Sequence, residues 1–214
     1  MRTESIEFSS EDFKLHGVLT HREDSKQVGV VILHPHPLFG GDMNNHVVHT
    51  LERVFVEEEY STLRFDFRGA AKSPHGYSGV RGAVIDTMNA IKYLQASTGV
   101  NEVGIVGYSF GASTAIRTAL LKSPRFLVTL SASVDLILEG GFDTGRLSGI
   151  QCPVLMFHGD SDRMISPNDL SILRELLKLE EEDTVLLERE GHFYQWSLPS
   201  VSKTLRIFLE NLSS

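Results

Sequence analysis

Short apolar runs alternate along this chain with stretches in which apolar residues recur at helical spacing. The run VGVVILH at 28–34 has no charged break and ends against prolines, which suits a central strand buried on both faces. Residues 61–67 (STLRFDF), 103–108, 126–132, 154–158 and 184–188 read as further strands, and 6–8 and 15–20 as two N-terminal strands joined by a turn. Helical spacing covers 45–58, 82–97, 112–121, 169–179 and 198–212; in the second of these Val84, Ile85, Met88, Ile91 and Leu94 share one face. Asp42 is the expected N-cap of the first helix. Two strands followed by alternating strand and helix predict an α/β protein, with a mostly parallel sheet of about eight strands and helices on both faces.

No repeat, low-complexity tract or long linker interrupts this pattern, so the 214 residues are expected to form one domain, 1–214, large enough to bury a real core. The acidic run Glu180-Glu181-Glu182-Asp183 lies between a helix and a strand and reads as a solvated turn. At 41% hydrophobic and 22% charged the composition is that of a soluble globular protein. The net charge of −8 argues against nucleic acid as a partner and against docking on anionic lipid. The single cysteine, Cys152, excludes an intrachain disulfide, and its place before Pro153 and an apolar run marks it as a small buried hydrophobe. The N-terminus has no signal-like apolar stretch, and no window reaches the roughly 18 apolar residues of a membrane span. The expectation is a cytoplasmic protein with no membrane partner. Nothing in the pattern selects an oligomeric state.

The chemistry is concentrated after the strand at 103–108. Gly107-Tyr108-Ser109-Phe110-Gly111 matches G-x-S-x-G directly between that strand and a helix. A strand-to-helix turn this tight needs small flanking residues and lifts the apical hydroxyl clear of the sheet. It also aims the first amides of the helix at the reacting oxygen, where the helix dipole favours an anion. The bland alternative is a serine that merely packs in a Gly-rich turn; the strand–turn–helix context favours Ser109 as a nucleophile.

A serine hydroxyl needs a positioned base. Of nine histidines, His192 follows the last strand and precedes the last helix, on the same sheet edge as Ser109. The acid should follow an intermediate strand, and His158-Gly159-Asp160-Ser161-Asp162 does so. Asp162 is favoured, because the turn at Gly159 must first carry the chain over the sheet edge. Asp160 is the turn alternative, and Asp135, just past the preceding strand, is the other. The chain order serine, acid, histidine is the one this type of nucleophile turn accompanies.

Together these motifs resemble the α/β-hydrolase superfamily over essentially the whole chain. A narrower likeness lies in His34-Pro35-His36-Pro37-Leu38-Phe39-Gly40-Gly41 with Met43, Asn45 and Val47-Val48. It is similar to small cap-less bacterial and archaeal hydrolases with an HPHP-type loop. Arg64-Phe65-Asp66-Phe67-Arg68-Gly69 with Ser73, His158-Gly159 with Asp162 and Ser166-Pro167, and Gly191-His192-Phe193 resemble other loops of that group. Ala71 departs from it, standing where relatives usually carry glycine. The resemblance implies an oxyanion hole made by the amide of Phe110 and one from the turn after Leu33. His36 is the candidate for the second amide and Leu38 the reserve, since Pro35 and Pro37 have no N–H. His34 and His36 also form an H-x-H pair, but no further His, Asp or Glu cluster completes a metal shell, so no metal and no cofactor are expected. His46 and His49 fall within a predicted helix and read as packing or surface residues.

The segment between 132 and 154 is too short for a lid domain and reads as a short helix and loop flanking an open pocket. Leu38, Phe39, Met164, Phe193 and Trp196 are candidate substrate-binding walls. The expected function is hydrolysis of a carboxylic ester with a small or medium acyl group, a small-molecule substrate. Thioester or amide hydrolysis and acyl transfer share the machinery, and a non-catalytic binding protein on the same fold is the reading from a different class.

Overall fold

The computed structural model describes residues 1–73 and 76–212. Among these, eight strands form one sheet: β1 (Arg2–Ser10), β2 (Phe13–His21), β3 (Val28–Leu33), β4 (Ser61–Phe65), β5 (Glu102–Tyr108), β6 (Phe126–Leu130), β7 (Val154–Gly159) and β8 (Thr184–Leu187). The spatial order is β1-β2-β4-β3-β5-β6-β7-β8. β1 and β2 pair antiparallel, β2 joins β4 antiparallel, and every pairing from β4 to β8 is parallel. The helices are α1 (His46–Glu57), α2 (Gly79–Thr98), α3 (Phe110–Lys122), α4 (Val134–Leu138), α5 (Asn168–Leu177) and α6 (Leu198–Leu212). No helix among the described residues is long and apolar enough to cross a membrane.

Alternation along the buried strands divides the core. Val31 and Leu33 of β3 face the side covered by α2, α3 and α5, through Val80, Ile91, Ile116 and Leu173. Val30 and Ile32 face α1 and α6, through Val48, Leu51, Phe55, Val201 and Leu205. Both faces of β3 are therefore dry, which is why its sequence shows no polar alternation. From β3 the chain steps to β4, then returns past β3 to β5, so the order reverses at β3. In open parallel sheets such a reversal leaves a crevice at the carboxyl ends of the strands. The loops after β3 and β5 open there.

Several boundaries differ from the sequence reading. β1 and β2 are nine residues each and longer than expected, because their outer parts lie at a solvent-facing edge and carry polar residues such as Glu4 and Lys14. α1 is capped not by Asp42 but by Asn45, whose side chain accepts from the Val47 amide at 2.9 Å. Asp42 instead closes the preceding turn on the Asn44 amide at 2.7 Å, while Asp66 holds the Met43 amide at 2.9 Å. The chain must finish that turn before a helix can begin. α2 starts three residues earlier than expected, at Gly79, where Val80 is already buried. Between β6 and β7 lie α4 and a 3-10 turn at Thr144–Gly149, with no inserted lid.

Candidate active site

The turn from β5 into α3 puts Ser109 at φ 58° and ψ −116°, a left-handed conformation that a serine tolerates only where its surroundings enforce it. The enforcement is steric. A Cβ on Gly107 would lie 2.2 Å from the Gly111 carbonyl oxygen, and one on Gly111 would lie 2.4 Å from that of Leu33. The strand and helix approach too closely for any side chain at either position.

His192 reaches Ser109 from the loop after β8: its Nε2 lies 3.0 Å from the Ser109 Oγ. On the far side of the ring, Nδ1 lies 2.7 Å from Oδ2 of Asp162. A carboxylate can only accept, so Nδ1 carries the hydrogen and Nε2 presents its lone pair to the serine hydroxyl. All three residues are buried. Oδ1 of Asp162 accepts from the amides of Met164 at 2.9 Å and Ile165 at 3.0 Å. Burial disfavours this carboxylate, but hydrogen bonds from His158 and His192 and the Ile165 amide outweigh it and hold Asp162 well below the usual carboxylate range. The other two candidate aspartates lie away from the ring. Asp160 is exposed and accepts from the Ser161 hydroxyl, and Asp135 is exposed in the first turn of α4.

Phe110 opens α3, so its N–H is one of the first-turn amides that no earlier helical carbonyl can take. Opposite it, His36 lines the same cavity as Ser109. The His36 carbonyl accepts from the amides of Phe39 and Gly41, and its Nδ1 accepts from the amide of Leu38 at 3.2 Å. The reserve candidate Leu38 is thus engaged in capping the turn at Pro37–Phe39. Tyr77 bonds Nε2 of His36 at 3.0 Å. The other histidine of the H-x-H pair is fully used within the protein. His34 Nδ1 donates to the Pro35 carbonyl at 2.6 Å, and Nε2 accepts from the Phe67 amide at 3.0 Å. Burial pushes this imidazole down to about 4.

A cavity of about 350 Å³ opens over Ser109, with Phe39, Leu136, Met164, Ile165 and Phe193 as apolar walls and Asn45, Tyr108 and Ser133 as polar ones. Two expected walls are corrected. Leu38 does not line it: the turn at Pro37–Phe39 directs Phe39 to the cavity and Leu38 away from it. Trp196 does not line it either: Glu190 accepts from its amide at 2.8 Å, and the residue is 77% exposed. A separate cavity of about 410 Å³ at the amino ends of β5–β7 contains Cys152, whose thiol burial pushes up to about 11. That thiol stays protonated near neutral pH and makes a poor nucleophile.

Three residues support the site in ways the sequence did not indicate. Glu190, 1% exposed, accepts from the amides of Gly191, Gln195, Trp196 and Ser197 and so clamps the loop that carries His192. Burial opposes its charge, but those amide bonds hold its carboxyl below the ordinary range. His158 lies beside Asp162, its Nε2 3.4 Å from Asp162 Oδ2 and 3.3 Å from the Ile165 carbonyl. His46, expected to pack or face solvent, bonds the Phe193 carbonyl at 2.8 Å and ties α1 to the histidine loop.

The model of the Dienelactone hydrolase family matches residues 15–187, a stretch that includes Ser109 and Asp162 and ends just before the His192 loop. An uncharacterised protein of Rickettsia prowazekii is 28% identical over 189 residues, covering 86% of this chain and 79% of its own length. An α/β serine hydrolase homologue from Coxiella burnetii is 26% identical, with a TM-score of 0.83 over 98% of this chain and 97% of that one. A lidless α/β serine hydrolase of Xanthomonas campestris, 22% identical, has the same fold at a TM-score of 0.81 over 98% and 94% of the two chains.

Proposed function

The chain belongs to the Dienelactone hydrolase family, and on that premise we propose that it is a serine hydrolase cleaving carboxylic esters of small or medium acyl groups. The observation that carries this reading is the continuous relay from Ser109 through His192 to Asp162, with contacts of 3.0 and 2.7 Å. In this mechanism the Ser109 Oγ attacks the ester carbonyl while Nε2 of His192 takes its proton. Asp162 fixes the imidazole tautomer and offsets the charge of the imidazolium. The carbonyl oxygen becomes anionic between the amides of Phe110 and His36; a donor of this kind contributes about 10²–10³ in turnover. As the tetrahedral intermediate collapses, the alcohol leaves with the proton from His192, and an acyl group remains on Ser109. Water then repeats the sequence: His192 takes its proton, the acid departs, and Ser109 regains its hydrogen. The pocket supports an apolar acyl group, since most of its walls are apolar. No cofactor enters any step.

The test is covalent labelling by a fluorophosphonate alongside turnover of p-nitrophenyl esters. The wild-type chain is expected to label rapidly and to hydrolyse the esters, and Ser109→Ala to do neither while keeping its far-UV and thermal signatures. Ser109→Ala activity within tenfold of wild type would remove the nucleophile from this mechanism.

A further inference from the structure

Asn45 does two things at once: it caps α1 and it lines the cavity beside Ser109. As the cap, its Oδ1 accepts from the Val47 amide at 2.9 Å. An asparagine side chain carries one acceptor oxygen and one NH₂ group, so this bond fixes which end is which. The NH₂ group is the end left for the cavity, and it meets no acceptor among the described residues. The other polar walls are committed elsewhere. The Tyr108 hydroxyl gives its hydrogen to the His192 carbonyl at 2.7 Å, and the Ser133 Oγ caps α4 by accepting from the Leu136 amide at 3.3 Å.

Asn45 also stands on a definite side of the reacting atoms. α1, which it begins, and α6, which follows the His192 loop, cover the same face of the sheet and share one core. His46 joins the two at the cavity mouth through the Phe193 carbonyl, 2.8 Å away. Ser133 and Leu136 enter the cavity from α4, whose Ile137 belongs to the core on the opposite face. The alcohol of an ester takes its proton from His192 as it leaves, so it lies toward His192 and Asn45. The acyl group then lies toward Ser133 and Leu136.

We infer that Asn45 determines specificity for the alcohol part of the ester: its NH₂ group donates to an uncharged acceptor oxygen on that alcohol, so the site prefers esters of alkoxyalkyl or polyol alcohols to esters of plain alkyl alcohols of equal length. The inference rests on the serine mechanism proposed above. A plain alkyl chain at this place displaces water from the NH₂ group and returns no bond, whereas an ether or hydroxyl oxygen restores it. Asn45 is half-buried, so water competes and the preference is severalfold and not absolute.

Two pairs of isosteric esters test this, with hydrolysis followed by pH-stat titration. 2-Methoxyethyl butanoate and butyl butanoate differ by an oxygen in place of a methylene in the alcohol. Butyl 3-methoxypropanoate and butyl pentanoate differ in the same way in the acyl part. Each kcat/KM is divided by the hydroxide-catalysed rate constant of that ester, which removes the inductive effect of the oxygen. The wild-type chain is expected to favour the methoxyethyl ester over the butyl ester by about three- to tenfold. Asn45→Asp keeps an oxygen at the helix cap but puts a second oxygen where the NH₂ stood. It should abolish the alcohol preference and leave the ratio of the acyl pair as in the wild type. Asn45→Ser, also a good cap, is too short to reach the alcohol and adds no charge; it gives the same reading should Asn45→Asp fail to fold. A wild-type chain that does not discriminate within the alcohol pair overturns the inference. So does a preference that survives in a folded variant, or a loss that falls on the acyl pair instead. Fluorophosphonate labelling separates the two levels: a labelled protein without the alcohol preference defeats the role of Asn45 alone, whereas an unlabelled one defeats the serine mechanism beneath it.

Discussion

The hydroxyl of Tyr108 donates to the backbone carbonyl of His192 at 2.7 Å, so the residue before the proposed nucleophile grips the residue proposed as base. Burial, reinforced by Asp162 and Glu190, raises the Tyr108 hydroxyl well above its ordinary value, which keeps it a donor at every working pH. Tyr108→Phe removes one hydroxyl and leaves a buried carbonyl without its partner, at a cost of about 1–3 kcal/mol. The expected outcome is a melting temperature lowered by several degrees and a kcat reduced by roughly three- to thirtyfold, with KM nearly unchanged. Thermal melts and steady-state kinetics on the two proteins check it. A kcat within twofold of wild type would show that the bond does not hold His192 in register.

Glu190 is expected to matter more. Its two oxygens accept four amide hydrogens, and no cation shares the load among the described contacts. Glu190→Gln keeps the shape but turns one acceptor into an NH₂ facing two N–H groups. Stability should fall by about 1–3 kcal/mol, and kcat by about tenfold or more, with KM within about threefold. The low-field proton resonance expected of His192 Nδ1–H in wild type should weaken or broaden in the variant as the ring loses its fixed position. If that signal and kcat both survive the substitution, the clamp serves the loop and not the histidine.

His34 sets an acid limit on stability. The unfolded chain takes up this proton near the ordinary 6.5, while the folded protein resists until about 4 because the ring is buried and its Nε2 already accepts from Phe67. Between those values the unfolded state binds more protons, so stability falls as the pH drops from about 6.5 to about 4, by about 3 kcal/mol in total. Asp162 and Glu190 act in a lower window. Their folded values are depressed, so their contribution is intact above about 4 and fades as the pH falls further. Urea unfolding at pH 7.5, 6, 5 and 4.5 measures the slope. His34→Asn should be less stable at neutral pH yet lose less between pH 6.5 and 4. Parallel curves for the two proteins would assign the slope to another group.

What the sequence made legible follows from how local each constraint is. The tight turn at Ser109 could be read directly, because the closeness of strand and helix at Gly107 and Gly111 is a demand on five consecutive residues. The central strand β3 was equally plain, since burial on both faces removes polar residues from the run. Glu190 was not, because a charged residue beside Gly-His looks like any solvated loop until four amides from its own loop fold around it. Trp196 and Leu38 failed in the opposite direction: an apolar side chain near a pocket says nothing of which way its backbone points it. Asp42 gave way to Asn45 as a cap for a related reason, the intervening turn being held by Asp66 from another strand's end.

The sharpest division of roles concerns three aspartates. Asp162 lies 2.7 Å from Nδ1 of His192, while Asp160 bonds its neighbour Ser161 and Asp135 is exposed in α4. Asp162→Asn keeps the side chain's shape but offers the imidazole an amide group, so the ring can settle with its hydrogen on Nε2, facing the serine. Its cationic form also loses a counter-charge. In serine proteases the comparable change costs roughly 10⁴-fold, and here turnover should fall by about two to four orders of magnitude. Asp160→Asn and Asp135→Asn should remain within about threefold, since neither touches the ring. Asp162 also accepts the Met164 and Ile165 amides, so part of any loss could come from a loosened loop. Measuring all three variants at equal folded fraction removes that part. It leaves the tautomer effect, which should show itself as a fall in kcat at nearly constant KM. A severe Asp135→Asn beside a mild Asp162→Asn would move the acid to the earlier strand and leave Ser109 and His192 in place.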